Sequence, residues 1–176
     1  MSRLTTLQLP LPWEDFDLPS PLATRSTVLV DGPPAWAWSD ATPDFPIAVC
    51  EVAAGTPAPG WDLDHVVLMV PDVEEAVATM AEIALAPRLR MDVKGRPTAF
   101  VRVGPVLEVI QSPVRGPSLD GVALVTEEPL EVVALRWRSL GREVTDPRDA
   151  LQPGRRIFTV RATEAGLAVM SPDAAR

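Results

Sequence analysis

Residues 63–72 read LDHVVLMVPD, and this stretch decides the fold. Residues 66–70 are a continuous apolar run of strand length. Asp72 follows as a helix N-cap, and Glu75, three residues later, stands where it completes a capping box. Apolar residues then recur at helical spacing until Pro87 ends the helix. The stretch therefore predicts a strand followed directly by an amphipathic helix.

Three more strand candidates follow this helix. Apolar runs separated by Gly95 and by Gly104-Pro105 place them at residues 88–93, 98–103 and 106–111. The segment therefore reads as a β-α-β-β-β unit. Four strands and one helix cannot cover both faces of a sheet, so we expect a second unit beside the first.

The second unit is visible as an internal repeat. LDHVVL at residues 63–68 is echoed by LDGVAL at 119–124, and Gly95-Arg96 is echoed by Gly154-Arg155. Pro129 fits the first position of a helix, and Gly141 suits its C-terminal cap. The strands expected here are residues 122–126, 142–145, 156–161 and 167–170.

These units predict an α+β fold with two paired βαβββ modules that form an open-barrel cleft. We place the modules at residues 61–115 and 116–176, together one domain, after an N-terminal extension at 1–60. The extension contains ten of the 20 prolines and most of the tryptophans. We expect an extended arm at residues 1–22, short strands at 27–30 and 47–52, and a linker at 56–60.

Composition limits the partners of this 176-residue chain. The net charge is −8, and no run of basic residues offers a site for nucleic acid or for an anionic membrane surface. The single cysteine, Cys50, cannot form an intrachain disulfide, and prolines interrupt any N-terminal signal core. We therefore expect a cytoplasmic protein that binds neither nucleic acid nor membranes.

Residues 64–72 and 100–109, read in the context of strand, helix and strands, resemble the vicinal oxygen chelate superfamily. This superfamily includes glyoxalase I, bleomycin-resistance proteins and extradiol dioxygenases. The resemblance covers residues 61–176 and implies paired modules around a binding cleft. The fold hosts many chemistries, so the resemblance says more about architecture than about function.

The resemblance also implies metal ligands. Its catalytic members carry one ligand at the start of a module's first strand and another in its last strand, which here are His65 and Glu108. The matching positions of the second module hold Gly121 and Ala168, or Leu167 if the register slips by one, and none of these side chains can coordinate a metal. The cofactor expected is therefore none, or a weakly bound Zn, Ni, Mn or Fe ion. Any further ligand would come from a residue such as Cys50, Glu51 or Asp64.

His65 and Glu108 are also the candidate catalytic residues. Glu108 lies in an apolar strand, and a carboxylate there needs a partner, for which the only histidine is the natural candidate. The pair could be a vestigial metal site, a pair that hydrogen-bonds a ligand, or an acid–base pair. The alternative for His65 is a structural residue at a strand edge.

Four further residues are candidates for ligand binding. Trp36 and Trp38 could cover the cleft and stack on a flat ligand, and Met69 and Met170 could line it by their strand positions. The alternatives are that the tryptophans anchor the N-terminal segment and that the methionines fill the core.

Three functions follow from these observations. The first is a glyoxalase- or bleomycin-resistance-like protein that binds a small organic molecule in its cleft and has a degenerate metal site. The second is a metal-dependent lyase, isomerase or dioxygenase that uses His65, Glu108 and ligands from elsewhere. The third is an interaction module whose proline- and tryptophan-rich arm clasps a second subunit in a homodimer.

Overall fold

The computed structural model describes residues 1–173, which form two β-sheets and two α-helices. This arrangement confirms the predicted α+β class. The last three residues of the predicted second module, 174–176, lie outside the described residues.

The N-terminal segment folds into a six-stranded sheet of its own. Its strands are β1 (Leu4–Leu9), β2 (Leu22–Ala23), β3 (Val28–Asp31), β4 (Ala35–Trp38), β5 (Ala48–Val49) and β6 (Thr56–Pro57), and a 3-10 helix covers Trp13–Phe16. The spatial order is β5-β4-β1-β3-β2-β6. The first strand therefore lies inside the sheet rather than at its edge.

This placement corrects the prediction of an extended arm at residues 1–22. Leu4, Leu7 and Leu9 are at most 1% exposed, so β1 contributes fully to the core. The four prolines of this segment fall between the elements, where a missing N–H breaks no ladder. The strand expected at 47–52 is reduced to the exposed pair β5, and the expected linker supplies the edge strand β6.

The rest of the chain forms an eight-stranded sheet from two modules. The first contains β7 (Trp61–Val70), α1 (Val73–Ala81), β8 (Pro87–Val93), β9 (Arg96–Arg102) and β10 (Val106–Gln111). The second contains β11 (Ser118–Thr126), α2 (Leu130–Ser139), β12 (Arg148–Asp149), β13 (Arg156–Val160) and β14 (Gly166–Met170).

The two modules meet at the centre of this sheet with two-fold symmetry. The strand order is β12-β13-β14-β11-β7-β10-β9-β8, so each half repeats the other in reverse. β7 and β11 are antiparallel, with Val66 opposite Val122, while β10 and β14 run parallel to the first strand of their own module. This arrangement confirms the predicted paired βαβββ modules.

One predicted strand of the second module is wrong. Residues 142–145 do not form a strand, and only Val144 makes an isolated bridge, to Val160. Gly141 turns the chain with φ +81° after α2, and Pro147, which has no N–H, precedes the two-residue strand β12. The edge of this module is therefore much shorter than the edge formed by β8.

Both helices cover one face of the eight-stranded sheet, here called the helical face. Asp72 caps α1 by accepting hydrogen bonds from the backbone N–H groups of Glu74 and Glu75, as its position predicts. The buried residues of both helices join the apolar side chains of β7 and β10 and of the N-terminal sheet in one continuous core. Trp137 of α2 links these parts, since its ring contacts Phe16, Trp61 and Phe158.

Candidate functional site

Strand alternation divides β7 between two environments. Val66, Leu68 and Val70 are fully buried on the helical face. His65, Val67 and Met69 point to the opposite side and are only partly buried. We call the side that carries these three residues and Glu108 the open face.

Glu108 reaches the open face through the pairing of β10 with β7. The two strands are parallel, with Val106 beside His65 and Glu108 beside Val67. The Nε2 atom of His65 lies 3.3 Å from the Oε2 atom of Glu108, and the two side chains are 19% and 14% exposed. The structure therefore brings together the two residues that the sequence singled out.

A β-bulge adds Asp64 to this pair. The register of β7 against β11 shifts between His65 and Leu63, which leaves Asp64 as the extra residue. A bulge redirects the side chains around it, and here the Oδ2 atom of Asp64 lies 2.9 Å from the Nδ1 atom of His65. Asp64, His65 and Glu108 thus form a continuous chain of polar groups.

Arg155 of the second module holds the other end of this chain. Its Nη2 atom donates to Oδ1 of Asp64 at 2.7 Å, and its remaining nitrogens donate to the side chain of Gln152 and to the carbonyl of Ser171. The arginine side chain is only 8% exposed. These bonds fix Asp64, and through it the imidazole of His65.

Arg155 was not predicted from the sequence as a site residue. The pattern that indicates it is the repeat of Gly95-Arg96 as Gly154-Arg155. In the structure Arg96 donates to Ser112 and acts electrostatically on Asp120, the residue that matches Asp64 in the second module. Each module therefore directs an arginine toward the bulge aspartate of the other.

The pKa values of the two carboxylates, Asp64 and Glu108, shift in opposite directions. Burial favours a higher pKa for Asp64, but hydrogen bonds from His65 and Arg155, together with their charges, outweigh it and lower the pKa of Asp64. Burial raises the pKa of Glu108, and the charge of His65 offsets this only in part. Because an ionised Asp64 can only accept, the proton between Asp64 and His65 belongs on Nδ1.

The donors for a metal ion are incomplete. Superposing the modules by strand register places Gly121 at the position of His65 and Ala168 at that of Glu108, which removes the alternative of Leu167. A Cβ atom at Gly121 would lie 2.2 Å from the carbonyl oxygen of Gly166, so no side chain fits there.

The other candidate ligands do not complete the metal site. Asp64 is engaged by His65 and Arg155, while Cys50 and Glu51 follow the edge strand β5 of the N-terminal sheet. Among residues 1–173, no three His, Cys, Asp or Glu side chains are arranged to hold one metal ion. Catalytic zinc has three protein ligands, and this site offers two.

The remaining predicted residues lie in three environments. Met69 lies on the open face and is partly exposed, whereas Met170 is buried. Trp36 and Trp38 are buried inside the N-terminal sheet, where they contact each other edge to face. A buried ring has no free face for a ligand, so this placement favours the anchoring role over ligand stacking.

A large groove opens beside the polar chain. Its volume is about 1160 Å³, and Leu63, Asp64, Val106, Gln152 and Arg155 are among its lining residues. Val106 is the strand neighbour of His65, so the groove reaches the site at the start of β7 and β10. A ligand in the groove would meet the polar chain at its Asp64 end.

Within residues 1–173, the helices are too short or too polar to cross a lipid bilayer.

No protein-family model and no curated protein sequence matches the chain. Several solved structures have a similar fold. Methylmalonyl-CoA epimerase from Mycobacterium tuberculosis is 18% identical, with a TM-score of 0.52 over 64% of this chain and 89% of that one. A hypothetical protein from Bacillus halodurans C-125 is 16% identical, with a TM-score of 0.54 over 64% and 95%. A Streptomyces coelicolor methylmalonyl-CoA epimerase variant in complex with 2-nitronate-propionyl-CoA is 15% identical, with a TM-score of 0.53 over 64% and 97%.

Proposed function

From the vicinal oxygen chelate fold that this chain has, we propose that it binds a small organic molecule on the open face, in contact with His65 and Glu108. The observation that carries the proposal is the polar chain Arg155–Asp64–His65–Glu108, which is partly buried and adjoins the groove. Such a chain is costly to desolvate unless each group is paired. Glu108, at its free end, has His65 as its one ion-pair partner among residues 1–173.

The two carboxylates suit different tasks. Asp64 stays ionised and orients the imidazole, so the Nε2 atom of His65 faces Glu108 and the open face. Burial raises the pKa of Glu108, so its protonated form, which can donate a hydrogen bond, persists to a higher pH than in an ordinary glutamate. The pair can therefore bind a carbonyl or carboxyl group of a ligand.

The sole histidine makes the proposal directly testable. The ¹⁵N and ¹H signals of an imidazole-labelled sample come from His65 alone, since the chain contains one histidine. We expect these signals to shift in a saturable way when methylmalonyl-CoA is added. This thioester is the ligand of a structural neighbour and serves as the probe.

Variants locate the binding. Glu108→Gln is expected to weaken the binding of methylmalonyl-CoA by about tenfold, which corresponds to a loss of about 1.4 kcal/mol. Glu82→Gln, at the end of α1 on the helical face, is the matched control and should leave the affinity unchanged. Signals of His65 that do not move with methylmalonyl-CoA, or equal losses in both variants, contradict the proposal.

A second candidate is an enzyme that moves a proton. The raised pKa of Glu108 beside an oriented imidazole is the arrangement that general acid–base catalysis uses. Exchange of the α-proton of methylmalonyl-CoA in D₂O, followed by ¹H NMR, distinguishes this candidate from a binding protein. Exchange that Glu108→Gln abolishes indicates catalysis, whereas binding without exchange indicates sequestration.

The predicted metal-dependent lyase, isomerase or dioxygenase remains a third candidate. The 3.3 Å between His65 and Glu108 is close to the separation of about 3 Å expected for neighbouring ligands of one ion. A metal held there would polarise a ligand oxygen. Retention of one Zn, Ni, Mn or Fe per chain after dialysis, lost in both His65→Ala and Glu108→Ala, would favour this candidate over ligand binding without a metal ion.

A further inference from the structure

One end of the groove collects three arginines from separate parts of the chain. Arg3 precedes β1, Arg88 lies in β8 and Arg102 ends β9, and all three line the groove. A backbone hydrogen bond of 2.8 Å from Leu4 to the carbonyl of Val103 holds the first beside the third. We call these three residues the arginine cluster.

Strand pairing brings Arg88 to the same place. β8 and β9 pair with Pro87 opposite Val101 and with Leu89 opposite Phe100, and Arg88 is the residue left between these pairs. Arg88 therefore lies at a bulge in β8, opposite the end of β9 that carries Arg102. The cluster thus depends on two sheets and on an irregular register, which local sequence does not reveal.

The arginine cluster has no anionic partner within residues 1–173. No Asp or Glu oxygen of the described chain lies within 4.0 Å of its guanidinium nitrogens. Within the described part of the chain, its one side-chain hydrogen bond runs from Nη1 of Arg102 to the carbonyl of Gly104, at 3.4 Å. By contrast, Arg25 and Arg155 in the same groove pair with Asp62 and Asp64.

This local positive charge opposes the character of the whole molecule. The chain has a net charge of −8. The acidic residues of the groove include Asp62, on β7, and Glu127, which follows β11. In the sheet, β10 lies between β7 and β11 on one side and β9 and β8 on the other. With about 4.8 Å between adjacent strands, the cluster and these acids occupy opposite sides of the groove. Unpaired guanidinium groups in a groove attract carboxylates and phosphates, which they bind in a bidentate manner.

We propose that the arginine cluster binds the anionic group, phosphate or carboxylate, of a ligand whose other end reaches His65 and Glu108. The inference rests on the proposed function and specifies the ligand as an elongated organic anion. Arg102 pairs with Val106, two residues before Glu108 on β10. This spacing puts the backbone positions of Arg102 and Glu108 about 8 Å apart. The anionic group is therefore well separated from the atoms that meet the polar chain.

Simple anions test the cluster without the rest of the ligand. Inorganic pyrophosphate and succinate are titrated into the full chain by calorimetry at low ionic strength. We expect saturable binding that Arg88→Gln and Arg102→Gln each weaken by about tenfold. Arg148→Gln is the matched control, because Arg148 is exposed, has no ion-pair partner among residues 1–173 and lies outside the groove. It should change the affinity less than about twofold.

The two probes also identify the kind of anion. Tighter binding of pyrophosphate assigns the cluster to a phosphate, and tighter binding of succinate assigns it to a carboxylate. No saturable binding of either probe, or an equal loss in Arg148→Gln, overturns the inference. Arg88 is exposed, so its variant keeps the test valid even if the half-buried Arg102 proves necessary for folding.

Failure of this inference is distinguishable from failure of the proposed function. If the His65 signals respond to methylmalonyl-CoA with the same affinity in Arg88→Gln and Arg102→Gln as in the native chain, the open face binds ligand and the cluster does not take part. If pyrophosphate binds at the cluster but the His65 signals never respond to methylmalonyl-CoA, anion binding by the cluster is confirmed and the proposed role of the polar chain is wrong.

Discussion

Asp64 and Asp120 occupy matching bulges of the two modules but lie in different electrostatic surroundings. Arg155 donates a hydrogen bond of 2.7 Å to Asp64 and helps to lower its pKa. Arg96 influences Asp120 only through its charge, and burial raises the pKa of Asp120. The same residue type at symmetric positions therefore contributes to stability with opposite sign.

Asp64→Asn should destabilise the protein at neutral pH. A carboxylate whose pKa falls on folding adds stability above its unfolded pKa, and this stability is lost as the pH falls through the folded value. We expect a loss of about 1–3 kcal/mol, since the buried guanidinium of Arg155 loses its charged partner. Urea unfolding at pH 7 and at pH 3 measures this loss, which should shrink in acid.

The symmetric variant Asp120→Asn is the control for this prediction. Its carboxylate has a raised pKa, so removing the charge should cost little or increase the free energy of unfolding at pH 7. An equal loss in both variants would mean that the two bulges need the aspartate side chain for a reason other than charge.

Glu108→Gln should stabilise the protein at neutral pH. A carboxyl group whose pKa rises on folding is accommodated best in its protonated form. Its favourable contribution to the free energy of unfolding is therefore present below the unfolded pKa and is lost as the pH rises through the folded pKa. The neutral amide removes this penalty. Thermal melting should show a higher Tm at pH 7, by about 2–4 °C for each kcal/mol gained, and no difference near pH 3. A lower Tm at pH 7 would show that the ion pair with His65 outweighs burial.

Residues on neighbouring strands were easier to predict from sequence than residues on distant ones. His65 and Glu108 could be placed together because the superfamily resemblance puts both at ligand positions of one module, and because a carboxylate in an apolar strand needs a partner. Arg155 could not, because its contact with Asp64 joins residues 91 positions apart across the module boundary. Trp36 and Trp38 were ambiguous, since a tryptophan pattern does not distinguish a buried ring from one that binds ligand.

At the scale of elements, the close approach of β11 and β14 separates the second module from the first. Gly121 and Gly166 face each other across these strands. Gly121→Ala would place a methyl group 2.2 Å from the Gly166 carbonyl oxygen, so the strands must separate. We expect a loss of about 1–3 kcal/mol in the free energy of unfolding, measured in urea.

Gly116→Ala is the matched substitution. A Cβ atom there meets no atom within 4 Å, and the residue precedes β11 in the same module. Its unfolding free energy should be unchanged or slightly higher. A neutral result for Gly121→Ala would show that the two strands tolerate a wider spacing.

Elements with local signals were predicted well. The helix α1 has its cap and apolar spacing within a dozen residues, and strands β8, β9 and β10 are separated by turn residues. β1 was missed because its structure depends on pairing with β3 and β4, which follow later in the chain. Prolines near a strand indicate where it ends, and they do not exclude it.

At the scale of the whole molecule, the N-terminal sheet completes the core. Trp137 packs against Phe16 at 4.9 Å between ring centroids, and the buried residues of both sheets form one cluster. Deletion of residues 1–57 should therefore expose this core and abolish cooperative unfolding in thermal melts followed by circular dichroism, with increased binding of an apolar dye.

A milder variant keeps this prediction testable if the truncated chain cannot be purified. Phe16→Ala removes one aromatic contact with Trp137 and should cost about 3–5 kcal/mol. A truncated chain that melts as sharply as the full one would show that the eight-stranded sheet needs no cover from the N-terminal segment.

The unequal halves of the eight-stranded sheet have a stereochemical consequence. The backbone is nearly symmetric about the pair Val66 and Val122, yet His65 and Glu108 lie in only one half, and Gly121 and Ala168 take the matching positions in the other. A ligand bound there contacts different residues on its two sides, so one orientation of the ligand is preferred. Mirror-image forms of a chiral guest would then be held unequally, so a racemic mixture offered to the protein should leave one enantiomer enriched in solution.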